Sequence, residues 1–163
     1  MVFSVFDGID PRKIIRTKIG TNHLIDDEMQ LCISVTNGSG DTVNVPMLIG
    51  EKVELNCPAA PFIRLDLLSI KADPHNINAS VRKYKALISV DITFNDAEGI
   101  DVTSFGKKVA DAIVNYVRTY QGATDGIFFM NVWNEGRLVI EGRCEETMFH
   151  WILELTAENN DAC

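Results

Sequence analysis

The stretch from Tyr84 to Phe94 constrains this chain more than any other. Tyr84, Ala86, Ile88, Val90, Ile92 and Phe94 occupy alternate positions, while Lys83, Lys85, Ser89, Asp91 and Thr93 fall between them; Leu87 is the exception. Side chains of a strand point alternately to its two faces, so this pattern demands a long strand with one buried face. That buried face needs an apolar cover, and the next segment supplies one. Phe105, Val109, Ile113, Tyr116, Val117 and Tyr120 recur at spacings of three and four, which places them on one side of a helix. With Asp101 as N-cap and Gly122 as C-cap, the helix is expected over 101–121, about five turns.

Other elements follow from local chemistry. Asp10 as N-cap and Pro11 at the first helical position predict a short helix over 10–18, halted by Gly20. Residues 28–35 and 42–48 read as strands around Asn37-Gly-Ser-Gly-Asp41, a β-hairpin expected to protrude. Residues 51–56 read as a further short strand. Phe62 to Lys71 is a strand whose alternation fails at Leu68, so it is either bulged or covered on both faces. A polar loop is expected over 72–81. Ile127 to Trp133 and Arg137 to Glu141 read as two strands joined by a tight turn at Asn134-Glu-Gly136. Met148 to Leu155 is the last strand, and 157–163 reads as a flexible tail.

Strands run consecutively rather than alternating with helices. The fold class is therefore α+β: a mainly antiparallel sheet covered by one long helix, with a short N-terminal helix and the hairpin. A length of 163 residues, 46% of them hydrophobic, suits a single domain with a core that needs no disulfide or metal staple. Neither a signal peptide nor a membrane span is expected.

The charge pattern bears on partners. The net −8 disfavours a protein that grips nucleic acid through a broad basic surface. Residues 1–18 carry four basic and two acidic side chains, residues 19–81 three and eight, residues 82–140 seven of each, and residues 141–163 one and six. Basic islands on an acidic chain read as solvated faces, or as patches that meet across copies of the chain.

The sequence carries no familiar catalytic signature. There is no Walker A loop, HExxH or GxSxG, and Gly38-Ser-Gly40 lies in a hairpin rather than between a strand and a helix. Cys32, Cys57, Cys144 and Cys163 form no metal-ligand spacing; Cys32 and Cys57 read as small core residues in a reducing compartment. The Asp73-Pro-His75 spacing allows an acid-oriented base, but with no nucleophile or pocket named beside it His75 reads as an ordinary loop histidine, and His150 reads as a packing or interface residue. No catalytic residue, metal or cofactor is expected.

One arrangement carries a resemblance. It begins with Pro61-Phe-Ile-Arg-Leu-Asp66 entering a strand. A polar loop and the strand Arg82-Lys-Tyr-Lys-Ala-Leu-Ile-Ser-Val-Asp-Ile92 follow, then the capped helix from Asp101 and an alternating apolar terminal strand. In element order and hydrophobic pattern, residues 60–156 resemble tail-terminator or tail-completion proteins, the head-tail joining proteins of tailed bacteriophages and related viruses. The resemblance implies a non-enzymatic virion protein of the tail and neck, assembled in the host cytoplasm. It implies a homo-oligomeric ring, commonly a hexamer, that caps the tail tube and joins it to neck or connector proteins. DNA would pass through such a ring without being held, and an acidic lining would favour that. The hairpin tip at Asn37 and Asp41 and the loop bearing Asp73 and His75 then become candidate contacts with the tube or a neighbouring ring. Arg82, Lys83 and Lys85 become candidates to meet Glu145 and Glu146 of the next subunit.

Two other readings stay open on the residues alone. One is a small-molecule-binding or catalytic α+β domain with a pocket between helix 101–121 and the sheet, involving His75 or His150. The other is a monomeric protein-binding adaptor.

Overall fold

The computed structural model describes residues 10–56, 58–74, 81–95, 104–119, 129–142 and 147–162. In chain order these form α1 (Pro11–Ile19), β1 (Thr21–Ile25), β2 (Glu28–Thr36), β3 (Thr42–Ile49), α2 (Gly50–Asn56), β4 (Phe62–Pro74), β5 (Val81–Asn95), α3 (Phe105–Thr119), β6 (Phe129–Gly142) and β7 (Thr147–Ala162). The strands make one seven-stranded sheet in the order β1-β2-β3-β4-β5-β7-β6. Every neighbouring pair is antiparallel except β3 and β4, which are parallel over Met47–Ile49 and Ile63–Leu65. The α+β class with a mainly antiparallel sheet is therefore as expected.

β5 lies centrally and organises the core. Ala86, Ile88, Val90, Ile92 and Phe94 are all fully buried, so the alternation reports the buried face faithfully. Phe105, Val109, Ile113 and Val117 of α3 join them in one apolar cluster with Ile63 and Leu65 of β4 and Leu153, Leu155 and Ala157 of β7. Phe94 sits between Phe105 and Phe149, with ring centroids 5.4 and 5.7 Å away. α3 links β5 to β6, and β7 inserts between those two strands. β5 and β6 therefore point the same way across a split β-α-β unit.

α1 forms as its capping residues predict. The Asp10 carboxylate accepts the Arg12 amide, Pro11 opens the helix, and the chain leaves α1 in an extended conformation at Gly20. Ile15 carries its apolar side into the core.

Several expectations need correction. The segment expected to be a short strand over 51–56 is the helix α2, whose Glu, Lys and Leu content favours that state. β1 has no counterpart among the expected strands. It pairs with β2 through a two-residue turn at Asp26 and Asp27, both at positive φ (50° and 66°). β2 and β3 pair antiparallel around 37–41, but as members of the sheet rather than as a projection from it. β4 continues through Pro74, so residues 72–74 are strand rather than loop. Its register shifts between Leu67 and Ser69, which makes Leu68 a bulge and resolves the broken alternation. α3 covers Phe105–Thr119, about four turns. Its expected caps, Asp101 and Gly122, lie outside the described residues.

The two strands expected around Asn134–Gly136 are a single strand, β6. Its pairing with β7 is irregular between Val132 and Arg137 but does not reverse. Gly136 adopts φ 117°, and a β-carbon there would run into the Trp151 indole. Glycine thus serves a bulge pressed against a tryptophan, not a hairpin turn. Finally, the segment read as a flexible tail is strand: β7 pairs with β5 through Ala162 opposite Val81. Ala157 continues the buried row of Leu153 and Leu155, which explains the extension.

Candidate functional site

β5 delivers the chemistry-bearing residues to the face opposite α3. Lys85, Leu87, Ser89, Asp91 and Thr93 alternate with its buried residues, and their cross-strand partners on β7 are Glu158, Thr156, Glu154, Ile152 and His150. On β6 the row continues with Arg137 and Val139, opposite Ile152 and His150. A polar sheet face results, and two clusters stand out on it.

The first is built around His150. Its Nδ1 lies 2.9 Å from Asp91 Oδ1 and 3.2 Å from Thr93 Oγ1, and its Nε2 lies 3.3 Å from Glu141 Oε2. Thr93 is buried and its hydroxyl donates to Asp91 Oδ1 at 3.3 Å. A neutral imidazole has one N–H and can donate to one of the two carboxylates; the imidazolium donates to both. Side-chain exposures of 18% for His150 and 23% for Asp91 keep the pair half-screened from water. The arrangement holds an imidazole firmly and ties three strands together. His150 reads as a packing residue in the sequence, and its partners escape notice because they depend on β7 lying beside β5.

The second cluster is at Lys85. Its ammonium lies 3.7 Å from Glu158 of the same chain and 5.8 Å from the centre of the Trp133 ring. The expected acidic partner in a neighbouring copy is therefore not the only one open to it. Arg82 and Lys83 lie in β5 opposite Pro74 and Asp73 of β4 and Asp161 and Asn160 of β7. Glu145, Glu146 and His75 lie outside the described residues, as do Cys57, Cys144 and Cys163. Asn37 is occupied structurally: its side-chain oxygen accepts the Ser39 and Asp41 amides, both at 3.0 Å. Asp41 is exposed at the same turn. Cys32 is buried, as expected, and burial pushes its thiol pKa up.

Arginines staple α1 to α2 and α2 to the sheet. Arg12 binds Asp10 and Glu51, both at 2.9 Å, joining α1 to α2. Burial alone would raise the Asp10 carboxyl, but hydrogen bonds from the Arg12 side chain and amide outweigh it and hold Asp10 below the ordinary carboxylate range. Arg64 of β4 likewise binds Asp66 at 2.7 Å and Glu54 of α2 at 2.6 Å. The interface between α3 and the sheet, where a ligand pocket is one expectation, is filled by fully buried side chains.

Among the described residues, β1 and β6 are the outermost strands of the sheet. On β6, Trp133 is 67% exposed and Ile140 62%, with Leu138 also exposed. Leu138 and Ile140 pair with Trp151 and Phe149 and extend the apolar side of the sheet to its rim. At the other end, Leu24 of β1 and Met29 of β2 are exposed. Among the described residues, no helix is long and apolar enough to cross a membrane. No protein-family model matches the chain, and no curated protein matches it in sequence.

Proposed function

We propose that the chain is a self-assembling structural subunit that closes into a ring through its sheet edges. The observation that carries this reading is that, among the described residues, one sheet ends in β1 and in β6, with exposed large apolar side chains at both ends. An open edge offers unpaired N–H and C=O groups to another chain. Edges of different sequence pair head to tail, and a head-to-tail contact that rotates by a fixed angle closes a ring. β6 contributes Leu138 and Ile140, and the β1 end contributes Leu24 and Met29.

Within that reading the subunit serves as a tail terminator or tail-completion protein of a virus. The ring, a hexamer, caps the tail tube and joins it to the neck in the virion. Support comes from the element order and hydrophobic pattern described above, and from a net charge of −8 that suits a channel DNA traverses without being held. Lys85, with Arg82 and Lys83, meets the acidic segment around Glu145 and Glu146 of the next copy. The turn at Asn37 and Asp41, and Asp73 with His75, contact the tube or a neighbouring ring.

Electron microscopy of the purified chain, alone and mixed with tube protein, tests the proposal. Closed rings of one size are expected under at least one condition. Particles that remain single subunits in both would overturn it.

A further inference from the structure

The direction and facing of β1 and β6, the outermost strands among the described residues, restrict how one copy can meet the next. β1 and β3 both run antiparallel to β2, β3 runs parallel to β4, and β4 runs antiparallel to β5. β5 and β6 both run antiparallel to β7. β1 and β6 therefore run in opposite directions. Their exposed apolar side chains lie on one face of the sheet. Leu24 sits opposite Met29, which alternates along β2 with Leu31 and Ile33 of the apolar cluster that includes α3. Leu138 and Ile140 sit opposite Trp151 and Phe149, which alternate along β7 with Leu153 and Leu155 of the same cluster. A chiral subunit then has one way to continue its sheet from β6 into β1 of a second copy while keeping the helix-bearing faces on one side. The two strands meet antiparallel. Turning the second copy over would make them parallel and set Leu24 level with the polar side chains of Arg137 and Glu141.

We infer that the joint between copies is an antiparallel ladder of β6 with β1 of the next copy, in the register that sets Ile140 opposite Leu24. This inference rests on the ring reading above and specifies its joint. Directly opposed residues of an antiparallel pair share a face, so Ile140 and Leu24, 62% and 65% exposed in the single chain, cover each other. The same register sets Val139 opposite Ile25, and Glu141 opposite the His23 imidazole, which can donate to a carboxylate. It also brings the exposed acid Asp27 of the β1–β2 turn opposite the exposed Arg137. Apolar side chains thus meet apolar ones, and charge meets opposite charge. Shifting by two residues, to set Leu138 opposite Leu24, keeps the facing but loses that match. Arg137 would then oppose Ile25, and Glu135 would oppose Asp27, two carboxylates together.

Complementation and cross-linking of the full chain test the joint, under whichever condition, alone or with tube protein, the wild type assembles. Ile140→Lys blocks β6 and leaves β1 intact, whereas Leu24→Lys blocks β1 and leaves β6 intact; both sites are exposed, and circular dichroism checks that each variant folds. Each variant should be monomeric by itself, and an equal mixture should give a one-to-one heterodimer by native mass spectrometry. For the register, directly opposed β-carbons lie about 4.5–5.5 Å apart, within reach of a disulfide, and diagonal ones about 7–8 Å apart. Leu24→Cys with Ile140→Cys in one chain should therefore link subunits on diamide oxidation several-fold more than Leu24→Cys with Leu138→Cys, and more than any of the single variants. A wild type monomeric both alone and with tube protein overturns the ring and this joint together. An assembling wild type overturns the joint alone if Leu24→Lys still forms the full oligomer, if the mixed lysine variants stay monomeric, or if the Leu138→Cys pair links as well as the Ile140→Cys pair.

Discussion

Replacing Gly136 with alanine isolates the contact that makes β6 a bulged strand rather than two strands and a turn. Gly136 lies at φ 117°, and a β-carbon there meets the Trp151 indole. Gly40, in the β2–β3 turn, lies at φ 87° with nothing within 4 Å of its would-be β-carbon. Both substitutions carry the backbone cost of a side chain at positive φ, about 1–2 kcal/mol. Only Gly136→Ala must also displace Trp151, whose indole N–H donates to the Glu135 carbonyl at 3.3 Å. Loss of that bond and repacking of a half-buried ring add about 1–3 kcal/mol. Gly136→Ala should therefore destabilise by about 3 kcal/mol and Gly40→Ala by about 1 kcal/mol. Urea unfolding measures the difference, and tryptophan emission locates it. Emission should shift to longer wavelength in Gly136→Ala alone, as Trp151 becomes wetter. Equal costs for the two variants, with unchanged emission, would refute the bulge against Trp151.

Four further outcomes follow from particular contacts. Phe94→Ala, which empties a fully buried ring site between two aromatic partners, should cost about 3–5 kcal/mol by denaturant titration. Leu68→Ala, at the exposed bulge of β4, should cost less than about 0.5 kcal/mol, whereas Ile88→Ala on the buried face should cost about 2–5 kcal/mol. Asp27→Gly should stabilise the chain by up to about 1 kcal/mol, because the two-residue turn holds Asp27 at φ 66°. Asp10 has a folded pKa below its unfolded one, so its contribution is complete above the ordinary carboxylate range and is lost as pH falls through the folded value. Arg12→Gln should therefore flatten the loss of stability measured between about pH 5 and pH 2.

What the sequence discloses is what local periodicity encodes. The buried row of β5, the helix face from Phe105 to Val117 and the Asp10–Pro11 start of α1 were all legible, because each depends on neighbours within a few residues. The bulge at Leu68 was visible as a broken alternation. β1 escaped because its turn is Asp26-Asp27 rather than a glycine-bearing pair. Gly136 misled for the opposite reason: glycine with asparagine signals a turn, and only the distant Trp151 shows why glycine is needed there. The strand after Thr156 looked polar because it alternates Ala157 with charged and amide residues, and its partner β5 supplies the rest. The His150 cluster is a product of strand order. No local pattern reports which residues that brings together.

Assembly through β6 is tested most directly by native mass spectrometry of the wild type beside Ile140→Lys. Ile140 is exposed on an edge strand, so lysine there leaves the core intact and places a charge where another chain would pair. The account predicts a single discrete oligomer for the wild type and folded monomers for Ile140→Lys, with unchanged circular dichroism. A wild type that stays monomeric at high concentration both alone and with tube protein, or an oligomer indifferent to Ile140→Lys, would contradict it.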